Sequence, residues 1–303
     1  MTIAGIAILL AGFLLLGLYG WRRQPPVPLP PPDPALVSAL RSHVYKLAGG
    51  IGIRNVWCSE KLEAAADYIR SRLASCGYAV EEQSYQAEGV AVSNLIAEKR
   101  GTKHPEEAVI VGAHYDTTET PGADDNASAV AGLLELARAF SAEPTARTVR
   151  FVAFVNEEAP FFRSDLQGSR VYVRAAKDRG ERIVAAVVLE MIGYYTDRPR
   201  SQRYPPPLGL WYPSRGNFVA VVGNIPSRRL VKEVVGAFSA SSPFPVESVT
   251  APGFIPGVDL SDHRSFWQEG IPAVMITDTA FYRNPNYHRA EDTPETLDYQ
   301  SMA

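Results

Sequence analysis

The chain has 303 residues, 46% hydrophobic and 21% charged, with a formal net charge of -3. That suits one large globular domain or two small ones and is too apolar for a disordered chain. The near-neutral charge gives no electrostatic reason to expect nucleic acid as a partner, and two cysteines exclude a disulfide scaffold or a thiolate zinc module.

Residues 2–21 carry no charged side chain. The nineteen from Ile3 span about 28 Å as a helix, close to the ~30 Å hydrocarbon core of a bilayer. They read as an uncleaved membrane anchor rather than a signal peptide, because a basic n-region and an A-x-A site are both missing. Arg22 and Arg23 follow, which by the positive-inside rule favours a cytoplasmic C-terminal side. Of the ten residues 25–34, seven are proline, so this stretch is expected to be an extended spacer of roughly 31 Å. The predicted organisation is an anchor over 1–23, a linker over 24–34 and one domain over 35–303.

Residues 59–74 follow a helical pattern, with Leu62, Ala65, Ala66, Ile69 and Leu73 on one face, Ser59 as cap and Gly77 as terminator. Cys58 and Cys76 flank this helix about 27 Å apart, well beyond the ~7 Å reach of a disulfide. Continuous apolar runs then recur at 108–113, 151–155, 183–189, 218–222 and Ala273–Thr277. Helical patterns alternate with them, notably 127–140, with Val130, Leu133, Leu134 and Ala137 inward. Runs without polar alternation are buried on both faces. The expected class is α/β, a single domain with a mainly parallel central sheet covered by helices on both faces.

Three of these runs end on metal-type ligands: His114-Tyr115-Asp116, Asn156-Glu157-Glu158 and Glu190. Sites in open α/β sheets lie beyond the carboxyl ends of strands, so these residues would converge. Asp124, Asp125 and Asn126 stand in a row before the 127–140 helix, where a cap needs only one such residue. Tyr287 and His288 lie in a loop ten residues past the last strand. Two histidines and several carboxylates, with no thiolate, suit zinc or a similar divalent ion in a catalytic site. The carboxylate excess also suits two ions sharing a bridging aspartate.

The pieces His-x-Asp, Gly-Ala-Asp-Asp-Asn-Ala-Ser, Asn-Glu-Glu, Leu-Glu-Met-Ile-Gly, Ser-Asp-His-x-x-Phe and Tyr-His-x-x-x-Asp-Thr occur in that order over roughly residues 54–297. As an ordered set they resemble the co-catalytic zinc exopeptidases of metallopeptidase clan MH, which include secreted bacterial aminopeptidases, glutamate carboxypeptidase and the mono-zinc glutaminyl cyclases. The resemblance implies two zinc ions bridged by Asp125, with His114 and Glu190 completing the first site and Glu158 and His288 the second. It makes Glu157 the general base, Asp116 the residue orienting His114, and Tyr287 a hydrogen-bond donor to the developing oxyanion. It also implies a cis peptide after Asp125, peptide substrates cleaved at a chain end in the manner of an aminopeptidase, and a periplasmic or extracellular domain, against the vote of the two arginines.

Two departures stand out. Position 190 is Glu where the aminopeptidases usually have Asp, and residues 293–303 begin what looks like the family's closing helix and then stop. The rival readings are a mono-zinc glutaminyl cyclase and a non-catalytic binding domain, although every expected ligand position holds a competent side chain. Candidate pocket walls are Pro160, Phe161 and Phe162, and the aromatic stretch between Gly193 and Gly216 with Tyr194, Tyr195, Tyr204, Trp211 and Tyr212. Asp262 and His263 are expected at a helix start beneath the site, and His43 and His104 in solvent.

Overall fold

The computed structural model describes Leu29 and residues 31–303. The expected anchor and most of the proline spacer lie outside the described residues, and among those described no helix is long and apolar enough to cross a membrane. The spacer ends in a helix, α1 (Pro34–Val44). Asp33 caps it by accepting from Ala35 N–H at 2.9 Å, and Pro34 occupies the first turn, where its missing N–H is harmless.

Helix α2 (Ser59–Ser75) buries Leu62, Ala65, Ala66, Ile69 and Leu73 as its periodicity predicts. Its cap differs from the expectation. The chain enters through a 3-10 turn, Val56–Cys58, and the Asn55 side chain accepts from Trp57 and Cys58 N–H at 3.2 Å each, so capping occurs one turn before Ser59. Gly77 follows the helix with φ +88°, a left-handed conformation that suits glycine. Cys58 and Cys76, at opposite ends of α2, are both free.

Eight strands form one sheet: β1 (Val80–Ala87), β2 (Val90–Lys99), β3 (His104–His114), β4 (Arg147–Phe154), β5 (Arg182–Glu190), β6 (Val219–Gly223), β7 (Val246–Thr250) and β8 (Ala273–Thr277). Their order is β1-β2-β4-β3-β5-β8-β6-β7. Only the central block β4-β3-β5-β8 and the outer pair β6-β7 are parallel; β1-β2, β2-β4 and β6-β8 are antiparallel. The sheet is therefore mixed, with four of its seven pairings parallel, so the mainly parallel expectation holds for its centre and fails at its flanks. An apolar run reports burial on both faces and is silent on direction, which is why β6 misleads. The β1–β2 hairpin turns on Glu88 and Gly89, both with positive φ, in the geometry of a two-residue hairpin loop.

Helices α1, α2 and α3 (Ala129–Ser141) cover one face, where Leu47, Ile69 and Leu133 join Leu95, Phe151 and Leu189 in the largest core. On the other face lie α4 (Gly168–Asp178) and, later in the chain, His263–Gln268. There Tyr172, Val173 and Phe266 meet Ile110, Phe154 and Val188. Helix α5 (Arg228–Ser241) packs Val231 against β6 and β8, α6 is His263–Gln268, and α7 is Tyr299–Met302. At Gly112, near the carboxyl end of β3, an added Cβ would lie 2.4 Å from the Phe154 ring, so close packing requires glycine there.

His104 is exposed, but His43 is buried rather than solvated. Its Nδ1 lies 2.7 Å from the Tyr68 hydroxyl on α2, and its Nε2 lies 3.1 Å from Glu135 on α3. The neutral imidazole satisfies both by accepting from Tyr68 and donating to Glu135. Burial holds its pKa below the ordinary 6.5, outweighing the pull of Glu135. Neutral His43 thus contributes stability that is fully present above about pH 6.5 and lost as the pH falls through its depressed value. In urea titrations over that acid range, His43→Gln is expected to flatten the pH dependence of unfolding by up to about 1.4 kcal/mol per pH unit. Parallel curves for variant and wild type would contradict this.

Candidate metal centre

Strands β4, β3 and β5 are adjacent and parallel, so their carboxyl ends share one edge. β3 ends on His114, β5 ends on Glu190, and Glu157 and Glu158 follow β4 after a short turn. The helical turn Ala123–Ser128 brings Asp125 to this edge, and the loop after β8 brings His288.

Asp125 lies between two sets of donors. Its Oδ1 is 3.3 Å from His114 Nε2, which is 3.4 Å from Glu190 Oε2. Its Oδ2 is 3.1 Å from His288 Nε2, which is 3.2 Å from Glu158 Oε1. Within each triad the donor atoms lie within 4.8 Å of one another. His114 Nδ1 sits 3.2 Å from the Asp116 carbonyl, which can only accept, so Nδ1 carries the proton and Nε2 presents its lone pair. Both His114 Nε2 and Asp125 Oδ1 are buried without a hydrogen-bond partner. Buried polar atoms are rarely left so, and an orphaned nitrogen facing orphaned carboxylate oxygen fits a cation between them. Nitrogen and oxygen donors in two such triads fit divalent zinc. Glu157 Oε2 lies 3.9 Å from His114 Nε2, and with His114 and Glu158 it makes a third group of donors that overlaps both triads.

Electrostatics agree with this fit. Burial raises Glu157 well above the carboxylate range, with Glu158 and Glu190 adding to it. Burial, then the Asp125 charge, lifts Glu158 to about 7. Burial alone would lower both imidazoles, but the surrounding carboxylates outweigh it, and His288 rises to about 10. Without ions, protons occupy the lone pairs that a metal would take.

The supporting bonds differ from the expectation at Asp116. β3 ends at His114, so Asp116 lies beyond the strand. Its carboxylate accepts from Glu157 N–H at 3.0 Å and from Glu158 N–H at 3.1 Å, while its contact with His114 is the backbone bond above and a 3.6 Å carboxylate approach. Asp292, which sequence reasoning quoted in a motif without a role, does the same for the opposite loop. It accepts from Asp124 N–H at 2.9 Å and Asp125 N–H at 3.1 Å. Asn126 accepts from Met191 N–H at 2.9 Å, and the Asp125–Asn126 peptide is cis. Ser261 donates to Glu190 Oε2 at 2.7 Å, which anchors the longer side chain at position 190.

Arg54 was also missed. It is fully buried and donates to the carbonyls of Leu47, Gly52, Tyr115, Pro121 and Gly122 at 2.7–3.2 Å. Burial lowers its pKa to about 10, with Asp116, Asp292 and Asp125 opposing, so it stays charged at neutral pH.

The family model for Peptidase family M28 matches residues 94–303. The chain belongs to this family. The uncharacterized protein YfbL of Escherichia coli K12 is 46% identical over 254 residues, covering 80% of this chain and 77% of that one. BSAP, a zinc aminopeptidase from Bacillus subtilis, shares the fold with a TM-score of 0.68 at 16% identity, covering 88% and 91% of the two chains. A Porphyromonas gingivalis glutaminyl cyclase does so with a TM-score of 0.65 at 20% identity, covering 88% and 93%.

Beside the metal edge this M28 chain has an apolar cavity of about 110 Å³ that reaches from Glu190 and Tyr287 to Tyr204, Tyr212, Phe218 and Ile255. Two of the five aromatics proposed as walls therefore line it, Tyr204 and Tyr212. Tyr194, Tyr195 and Trp211 do not, and neither do Pro160, Phe161 and Phe162; Phe161 belongs to the main core. The Tyr287 ring stacks on His288 at 3.8 Å. Burial and the nearby Asp125, Glu158 and Glu157 charges push its phenol upward, so it remains a donor. Asp262 and His263 lie at the start of α6 outside the triads. Asp262 accepts from Gln167 Nε2 at 3.0 Å and His263 donates from Nε2 to Val258 O at 2.7 Å.

Asp292→Asn leaves one acceptor for two N–H groups and is expected to weaken zinc binding about 10–100-fold, read by competition with a chromophoric chelator; unchanged affinity would remove its positioning role. Arg54→Met strands five carbonyls, three of them in fully buried bonds, and uncompensates nearby acids, and should lower the unfolding free energy by about 3–5 kcal/mol. A loss below about 1 kcal/mol in denaturant titration would refute that.

Proposed function

We propose that this M28 chain is a two-zinc exopeptidase that removes residues from the N-terminus of peptides. The observation that carries the reading is the placement of Asp125, one carboxylate oxygen facing His114 and Glu190 and the other facing His288 and Glu158. A single-ion site has no need of a second complete triad. The zinc aminopeptidase fold of BSAP supports cleavage at the amino end. Paired zinc ions, when bound, would acidify water from pKa ~15.7 towards ~7 and polarise the scissile carbonyl.

The chain's own groups carry out the proton transfers. Glu157, close to His114 but outside both triads, takes one proton from the attacking water as its oxygen adds to the carbonyl carbon. The same proton passes to the nitrogen of the leaving amine as the C–N bond breaks. Asp116 positions Glu157 through its backbone N–H. Tyr287, held on His288, donates to the oxygen on which charge develops. The apolar cavity receives the side chain of the terminal residue. The charge-free segment 2–21 supports a membrane-tethered enzyme, and a periplasmic or extracellular domain rests on the family resemblance alone, against Arg22 and Arg23.

The zinc-loaded protein is expected to hydrolyse leucyl anilide and to spare its N-acetyl form, with activity abolished by chelation and restored by zinc. Glu157→Gln should lower kcat about 10²–10⁴-fold at unchanged zinc content. Ammonia release from N-terminal glutamine with one zinc per chain and no anilide cleavage would replace this reading with a cyclase. Full activity in Glu157→Gln would remove the assigned base.

A further inference from the structure

Arg283 lies between β8 and Tyr287, is only 4% exposed, and takes no part in either triad. Its Nε donates to Gln202 Oε1 at 2.8 Å and its Nη1 to Tyr194 O at 3.3 Å. The guanidinium carbon stands 4.5 Å from the centroid of Phe218, on the cavity wall, and 5.4 Å from that of Tyr195. Gly216 closes against it, and an added Cβ there would meet Arg283 at 2.8 Å.

The connection continues beyond the guanidinium. Gln202 Nε2 donates to Thr279 Oγ1 at 2.8 Å, Arg203 N–H to Tyr282 O at 2.8 Å, and Arg203 Nη2 to Phe281 O at 2.9 Å. Arg283 thus joins Gln202 and Arg203 in fastening the loop that supplies Tyr204 and Tyr212 to the segment that leads into Tyr287 and His288, and it also ties in Tyr194. Arg283 Nη2 has no partner, and a buried cation with an unpaired donor costs stability that an apolar side chain would not. What an apolar residue lacks is a planar fork that bonds two acceptors while its face lies on an aromatic ring.

We propose that Arg283 is a positioning residue for substrate selectivity. It holds the cavity wall in register with Tyr287, so that a large apolar side chain seated in the cavity places the scissile carbonyl correctly. This rests on the aminopeptidase reading, with the cavity taking the terminal side chain.

The test compares the full zinc-loaded chain with Arg283→Lys and Arg283→Met, using kcat and KM on phenylalanyl and alanyl anilides. Calorimetry of free phenylalanine and alanine gives a second, turnover-independent measure. Wild type is expected to favour phenylalanine in both. Both variants should lose kcat/KM on phenylalanyl anilide about tenfold more than on alanyl anilide, mainly in kcat, with zinc content unchanged. Lysine should fail to rescue, because a point charge cannot reproduce the fork and the stacking. If Arg283→Met does not fold, Gln202→Met removes the Nε acceptor and should shift selectivity in the same direction. Equal losses on both substrates, or restored selectivity with lysine, overturn the proposal, as does a wild type without preference. Absence of any turnover overturns the peptidase reading; a phenylalanine-to-alanine affinity ratio unchanged in the variants then overturns the role of Arg283 as well.

Discussion

Too many carboxylates are buried at one edge of the sheet for the protein to hold them all ionised by itself. Asp124, Asp125, Glu157, Glu158, Glu190, Asp278 and Asp292 are all buried there, and bare carboxylates in such surroundings are heavily penalised. Arg54 and the imidazoles of His114 and His288 offset only part of that charge. Burial therefore lifts Asp278 to about 6 and Asp292 to about 7, as it does Glu158. Divalent ions resolve the excess where donors converge, and their binding exchanges for protons. Metal occupancy and the protonation of this edge are one equilibrium.

Strand direction decides which parts of the chain reach that edge. Parallel neighbours β4, β3 and β5 deliver their ends side by side at the ordinary strand spacing of about 4.8 Å, a scale on which side chains from different strands can share an ion. β6 runs the other way, with Ala220 opposite Thr277 at the end of β8. Its beginning, not its end, lies toward the site, so Phe218 and the preceding loop arrive beside Glu190. An antiparallel strand in this position brings a cavity wall to the metal edge where a parallel one would bring another ligand loop.

The five apolar runs located five of the eight strands, and His114, Glu158 and Glu190 were legible because their chemistry is unusual after a buried strand, whereas Asp125, before a helix, and His288, in a loop, took their places from the ordered resemblance. The hairpin β1–β2 was not legible, since β1 is polar and only part-buried, and its signal is a turn rather than a run. Nor was β7, whose residues Val246–Thr250 are all only partly buried. Three misses share one cause, which is sequence distance. His43 meets Glu135 across 92 positions, Asp292 meets Asp124 across 168, and Arg54 meets Gly122 across 68. A local pattern shows what a side chain is, and only the folded chain shows what it faces. Phe161 illustrates the converse: its placement beside the glutamates suggested a pocket, yet the fold turns it into the core.

Asp116 and Asp292 solve the same mechanical problem in the same way. Each spreads its two carboxylate oxygens over two consecutive backbone N–H groups, Asp116 on Glu157 and Glu158, Asp292 on Asp124 and Asp125. Such a grip fixes peptide planes rather than side-chain tips, so the ligands can sit on loops and still be presented from rigid backbone. The two clamps act on different loops, one behind the glutamate pair and one behind Asp124 and Asp125. Each comes from a different segment of the chain, Asp116 just past β3 and Asp292 just past His288. Each clamp therefore ties one donor loop to the segment carrying another, so His114 is coupled to the glutamates and His288 to Asp125. The backbone of four donor loops is thus tied in two pairs, one pair to each clamp.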